Sequence, residues 1–408
     1  MPWKFPWPTP QLATSRPAGP AKKHETVADP TSPPQQNSAR VPHNAGLPKM
    51  KGTITMTRIP RAATQLFAAT AAVAMLAACS ATPDGPAGQP SQSGDLVSLV
   101  DAAAKTPIKD VKASLGEPAA PAADTKLCYI TRTLSNEFWG FERDGFEAEA
   151  KRLGVNYQTF DVTDESSITE QLDKAKSAAN QGCSALLASP ISATGLDTVF
   201  TDALAQNVPV VILNDAKGNI PGSVYVGPDA LTIGETAADY IASKLPEGGK
   251  VAMIEGDPGS SNALNRGEGF KNGLAKHPNL ELVASQTAKW DQTRAQEIAT
   301  AMLTANPDIK AFYSQNDGMA FGVAAAIAAK NLTGKVVLVG TDGIPQAKKE
   351  IQAGNMTATV SEQPVTEGAS GVDAALWLMA GKEVPAWIDV PAFIIDSENV
   401  GEYPTGMP

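Results

Sequence analysis

Lys126–Gly154 reads KLCYITRTLSNEFWGFERDGFEAEAKRLG. It opens on an apolar run, KLCYIT, with the length and composition of a buried strand. It closes on FERDGFEAEAKRLG, where Phe146, Ala150 and Leu153 recur at i, i+4 and i+7, the spacing of one helix face. Between them lies TLSNEFW, Thr133–Trp139. A strand-to-helix turn ordinarily faces water, yet this one carries an amide followed by two large aromatics. Either the rings pack the start of the helix, or they form one wall of a ligand site.

The same strand-then-helix alternation runs on to the end of the chain. VNYQTFD, CSALLAS, PVVIL, SVYVG, KVAMIEG, LELVASQ, AFYS, KVVLVG and MTATVSE read as strands, most of them followed by a helical segment, and AWIDVPAFIID is a final extended stretch. Such alternation builds parallel sheets covered by helices on both faces. The strands are too many for one compact sheet, so the expected fold is α/β, with two doubly wound parallel-sheet lobes.

In open sheets of this kind ligands sit beyond the carboxyl ends of the strands. The side chains that follow the strands are Asn136, Phe138 and Trp139, then Ser189, Asn214 and Asp215, Arg266, Trp290, Asn316, Asp342 and Glu362. Planar amides and carboxylates bridge vicinal hydroxyls, and aromatic rings cover a C–H face, so the set suits a small polyhydroxylated molecule.

Composition narrows the chemistry. The chain has 408 residues and a net charge of −10, which argues against nucleic acid as a partner. Its histidines are His24, His43 and His277; the first two lie in a Pro-rich leader and the third in an apparent turn beside Pro278. A Ser/His/Asp triad, a His-ligated metal and a cofactor site are therefore not expected. PEGGK, Pro246–Lys250, lacks P-loop spacing and precedes a strand, so it reads as a turn. The cysteines are Cys79, Cys128 and Cys183. Export permits a disulfide, but adjacent parallel strands rarely offer the geometry, so Cys128 and Cys183 are expected as buried thiols.

Residues 1–49 lack periodicity and read as disordered, which suggests that translation starts at Met50 or Met56. Lys51, Arg58 and Arg61 then precede an apolar run, Leu66–Leu76, too short to span a bilayer. The segment 50–78 is a secretory signal by this pattern. Its end, Leu76-Ala77-Ala78-Cys79, resembles the bacterial lipobox, which implies lipidation of Cys79. Residues 79–125, rich in Pro, Gly, Ser and Ala, read as a flexible tether with one short helical stretch, DLVSLVDAAAK.

From Lys126 to Asp396 the chain resembles the ribose-type, pentose- and hexose-binding periplasmic proteins that serve ABC transporters. TLSNEFW, SALLASP, RGEGF, YSQNDGMAFG, VGTDG and MTATVSEQP carry the likeness. It implies one sugar held between two lobes joined by a three-crossover hinge, with 126–228 plus 363–386 forming the first lobe and 229–362 plus 387–404 the second. It implies a binder, not an enzyme: a monomer, anchored to the outer face of the membrane by lipid alone, that delivers its ligand to an ABC permease. Asn136, Phe138, Trp139, Arg266, Trp290, Asn316 and Asp342 match the family's ligand set. Ser189 stands where asparagine is common, Asn214-Asp215 where Asp-Arg is common, and Glu362 where glutamine is usual. The changes remove a cation and add an anion, which favours a neutral sugar or polyol over an anionic one, admits a cationic ligand and disfavours ribose itself. Phe138 and Trp139 are then expected against one face of the ring and Trp290 against the other. Two rival readings remain: a surface enzyme working through paired carboxylates such as Asp342 and Glu362, and a sugar-sensing component.

Overall fold

The computed structural model describes residues 105–215 and 220–403. The leader, signal, Cys79 and the DLVSLVD stretch lie outside these residues. Two sheets organise the chain. The first has seven strands in the order β1-β12-β6-β5-β4-β2-β3, from β1 (Lys105–Pro107), β2 (Lys126–Thr133), β3 (Asn156–Val162), β4 (Ala185–Ala188), β5 (Val210–Leu213), β6 (Val224–Gly227) and β12 (Trp387–Asp389). The second has six, β13-β11-β10-β9-β7-β8, from β7 (Gly249–Glu255), β8 (Leu280–Thr287), β9 (Ile309–Ser314), β10 (Val337–Asp342), β11 (Ala358–Ser361) and β13 (Phe393–Asp396). All neighbours run parallel except β13, which pairs antiparallel with β11.

The strands read as unbroken apolar runs because helices bury both faces. VVIL of β5 and ALLA of β4 are buried at every position. The first lobe's core divides in two, one part around Tyr129, Phe146 and Trp377, the other around Phe160, Leu186 and Phe200. In the second lobe Phe270 and Tyr313 anchor one core, and Phe312, Met319 and Ile327 the other. Phe138 and Trp139, at the head of α2 (Glu137–Leu153), pack into that last core although their helix belongs to the first lobe.

The chain crosses between lobes three times. It leaves β6 for α5 (Ala230–Lys244), leaves β11 for α10 (Pro364–Met379), and leaves β12 for β13. The second crossing turns on Gln363, which has a left-handed backbone (φ 61°). Its side-chain amide donates to the Pro391 carbonyl at 2.7 Å and ties the second crossing to the third.

Three expectations need correction. Among the described residues, regular structure is already present at Lys105, ahead of Lys126. β1 pairs with β12, and α1 (Ile108–Leu115) buries Val111 against the first lobe, because VKASL supplies apolar positions inside an otherwise polar tether. AWIDVPAFIID is not one extended element of the second lobe: Trp387–Asp389 completes the first sheet before the chain crosses over. Cys128 and Cys183 form a disulfide, with Cα atoms 5.8 Å apart. Cys183 lies in the loop ahead of β4 rather than within a strand, so the constraint of parallel pairing does not apply to it.

Candidate functional site

Carboxyl ends of both sheets meet across the gap between lobes. A narrow cleft enclosing about 290 Å³ of empty space, part of it open to solvent, lies there, lined by Arg132, Asn136, Phe138, Trp139, Glu165 and Asn214 from the first lobe and Asn262, Arg266, Trp290, Asn316 and Asp342 from the second. Glu165, Asn136, Trp290 and Asn316 also border a wider groove toward solvent.

Asparagine recurs at this wall for a structural reason. Asn136 caps α2, its Oδ1 accepting from the Phe138 amide at 3.1 Å. Asn316 caps α8 (Asp317–Ala329), its Oδ1 accepting from the Met319 amide at 2.8 Å. A cap needs only the oxygen, which leaves each NH₂ facing the gap. Asn136 shares its NH₂ with Glu165 Oε1 at 2.8 Å, while no acceptor among the described residues engages that of Asn316.

The aromatic walls are held from behind. Phe138 and Trp139 meet edge to face with centroids 4.8 Å apart. The Trp139 indole donates to Glu165 Oε1 at 2.8 Å, and the Arg132 guanidinium covers one of its faces at 4.5 Å. Trp139 therefore offers the gap less ring surface than expected. Trp290 follows β8 on a backbone that is left-handed at both Lys289 (φ 54°) and Trp290 (φ 66°). Its ring rests on Gly256, where a Cβ would fall 2.1 Å from the indole.

Asp342 ends β10 with φ 126°, a strained value for a non-glycine residue. Its Oδ2 accepts from the Asp317 amide at 3.2 Å. Burial holds its carboxyl well above the usual range, with Asp317 and Glu362 adding to the effect. Hydroxyl donors from a ligand would relieve that cost.

Three expected contacts lie off the cavity wall. Ser189 is fully buried, and its hydroxyl donates to Glu142 Oε2 at 2.7 Å beside the Tyr129 hydroxyl. Glu362 sits in the second crossing, both of its oxygens 2.7 Å from Arg266 Nη2. Asp215 pairs with Arg132 and accepts from Ser260 Oγ at 2.7 Å and the Asn262 amide at 3.0 Å. Each is short of free capacity because a buried partner has taken it. Asn214 lines the cavity but is similarly occupied: its NH₂ donates to Glu362 and Glu367, and its oxygen accepts from Asn262 at 2.7 Å.

Arg132, Glu165 and Asn262 were missed, although Glu165 stands in the loop after β3, where the same rule would have found it, and Asn262 lies in the first turn of the helix that follows β7. Arg132 directly follows the apolar run KLCYIT and lies within β2, so the rule of side chains past the strand does not reach it. It supplies the cation that the Asp-Arg replacement was expected to remove. Arg132 pairs with Asp215 and, at 3.8 Å, with Glu165, and Arg266 pairs with Glu362, so Asp342 is the cavity carboxyl outside these ion pairs.

Residues 127–383 match the family model for a periplasmic binding protein domain, and the chain belongs to that family. It is 38% identical over 277 residues to the D-allose-binding periplasmic protein of Escherichia coli, spanning 64% of this chain and 88% of the relative. Identity to a ribose import binding protein of Haemophilus influenzae is 33%, covering 68% of this chain and 93% of the other. Among solved structures, a periplasmic solute-binding protein of Actinobacillus succinogenes with bound D-allose superposes with TM-score 0.66 at 28% identity, covering 69% of this chain and all of that one. The Caulobacter myo-inositol binding protein bound to myo-inositol does so with TM-score 0.64 at 28% identity, over 70% and 97%.

Proposed function

We propose that the cleft captures one small neutral sugar or polyol and that the closed protein hands it to an ABC permease. The observation that carries this reading is the division of hydrogen-bonding capacity at the cavity. The arginines are ion-paired within the protein, Arg132 with Asp215 and Arg266 with Glu362, while Asn316, Asp342, part of Asn136 and Glu165, and the Nε of Arg132 and of Arg266, unpartnered among the described residues, remain for hydroxyls. Trp290 and Phe138 supply apolar surface from opposite lobes. An anionic sugar would meet Asp342 and Glu165 without an unpaired cation. The relatives named for allose and ribose, and the neighbours holding allose and inositol, fall in the same ligand class.

Closure follows from contacts on both lobes: a ligand touching Asn136 and Asp342 together favours the closed form. The protein is read as extracytoplasmic, in keeping with its family, monomeric, and anchored through lipidated Cys79. Paired-carboxylate hydrolysis is a poor fit because Glu362 is fully buried and held by Arg266. The test is thermal denaturation with D-allose, D-ribose, myo-inositol and xylitol against gluconate and ribose 5-phosphate. A neutral compound should raise the melting temperature and be recovered unchanged. A shift confined to the anionic compounds, or conversion of the sugar, refutes the reading.

A further inference from the structure

Asp215 follows β5 in the first lobe, yet two of its hydrogen bonds come from the second. Ser260, the N-cap of α6 (Ser261–Ala275), donates its hydroxyl to one carboxylate oxygen, and the backbone amide of Asn262 donates to the other. From its own lobe Asp215 is gripped by Arg132, which is itself fixed by the Pro190 carbonyl. The carboxylate is 3% exposed and is absent from the cavity wall. Alongside, Asn262 Nδ2 reaches Asn214 Oδ1 at 2.7 Å and the Ala193 amide reaches the Gly259 carbonyl at 3.3 Å, both also between lobes.

We propose that Asp215 is an interlobe latch: its carboxylate, held by Arg132, seats on the first turn of α6 only when the cleft is shut, and so sets how much closed protein exists before any ligand arrives. The end of α6 presents free N–H groups and the positive end of the helix dipole, which favours an anion there. With the lobes apart, Asp215 keeps Arg132 but exchanges its two cross-lobe donors for water. Because the latch touches no ligand, it changes the affinity for every ligand by one common factor, the fraction of competent protein.

The inference rests on the closing cleft proposed above but not on the identity of any sugar. Small-angle scattering of the ligand-free full chain should show a compact protein. Asp215→Ala should lower the closed-to-open ratio by about 100-fold or more, the worth of two charge-assisted hydrogen bonds, and enlarge the radius of gyration. Since Asp215→Ala strands Arg132, the second variant is Ser260→Asp. It keeps an N-cap oxygen and leaves Arg132 paired, but sets a like charge against Asp215; it should open the protein similarly, with melting of each lobe preserved. Across D-allose, D-ribose, myo-inositol and xylitol, Ser260→Asp should weaken binding by one common factor and keep the rank order. Unchanged scattering or a reordered panel in Ser260→Asp overturns the latch. A panel in which wild type binds nothing sinks the proposed ligand class, and scattering alone then decides the latch.

Discussion

Asn316 and Asn214 are the same residue type, each just past the carboxyl end of a strand, in opposite lobes. Asn316 spends its oxygen on a helix cap and keeps its NH₂ for the gap. Asn214 spends everything inside the protein, bridging Glu362, Glu367 and Asn262. The same contrast separates Asp342, which borders the cavity, from Asp215 and Glu362, whose cations are already assigned. The gap is thus a wall with spare capacity laid over a floor whose carboxylates are taken and whose arginines keep their Nε atoms unpartnered among the described residues. Position after a strand selects both kinds of residue; only the accounting of donors and acceptors tells them apart.

The largest effect should come from the floor. Glu362→Ala leaves Arg266 3% exposed without its carboxylate. Removing one partner of a buried pair costs about 3–5 kcal/mol, so ligand-free chemical denaturation should show a loss of that size. A loss under about 1 kcal/mol, near the worth of exposed ion pairs, would mean that Arg266 finds water or another acceptor and that floor and wall are not distinct.

The wall should behave in the opposite way. Asp342→Asn removes a buried carboxyl whose ionisation burial, Asp317 and Glu362 all oppose, so ligand-free stability should hold or rise. Affinity for the best sugar of the panel should fall by about 100-fold, as two charge-assisted bonds to hydroxyls weaken. Calorimetry reads the second quantity and melting the first. Trp290→Ala should cost about 2 kcal/mol of binding or more, as expected for a central aromatic anchor. If either variant loses stability and keeps affinity, that residue belongs to the floor.

Protons report the floor as well. Glu142, buried in α2 beneath Ser189, has its carboxyl pushed by burial from 4.5 to about 7, against the opposing pull of Tyr129, Ser189 and Arg132. Burial and the neighbouring carboxylates Glu142 and Glu362 hold Glu367 well above its ordinary value. A carboxyl raised on folding binds more protons folded than unfolded, so stability falls as pH rises. For Glu142 that window runs from about 4.5 to about 7. Melting temperature should decline across it, and Glu142→Gln should flatten the decline. An unchanged slope in that variant would assign the protons to Asp317, another buried carboxyl raised to about 7, or to other groups.

The lobes were legible because each buried strand and each helix face writes its own period into the chain. Eight of the eleven anticipated side chains border the cavity. Ser189, Asp215 and Glu362 do not, since nothing local in the sequence records that Tyr129, Arg132 or Arg266 would arrive from 60 to 96 residues away and occupy them. Cys183 shows the same limit: its pairing with Cys128 depends on one loop residue lying outside the strand register. The short strand at Lys105 escaped because three residues carry no period.

That strand also yields the smallest expected effect. Lys105 Nζ lies 3.2 Å from Asp229 and 3.7 Å from Asp389. Asp229 caps α5 just after the first crossing, and Asp389 ends β12 just before the third. Lys105 therefore spans two crossings on the outer side of the hinge, where its side chain keeps 27% exposure. Water and salt screen such pairs, so Lys105→Ala should cost about 0–1 kcal/mol of stability. Burial raises the Asp389 carboxyl and Lys105 opposes that rise, so the variant should lose more stability at high pH than at low. A loss like that of Glu362→Ala would show that the hinge is closed on its outer side by a pair as strong as those of the floor.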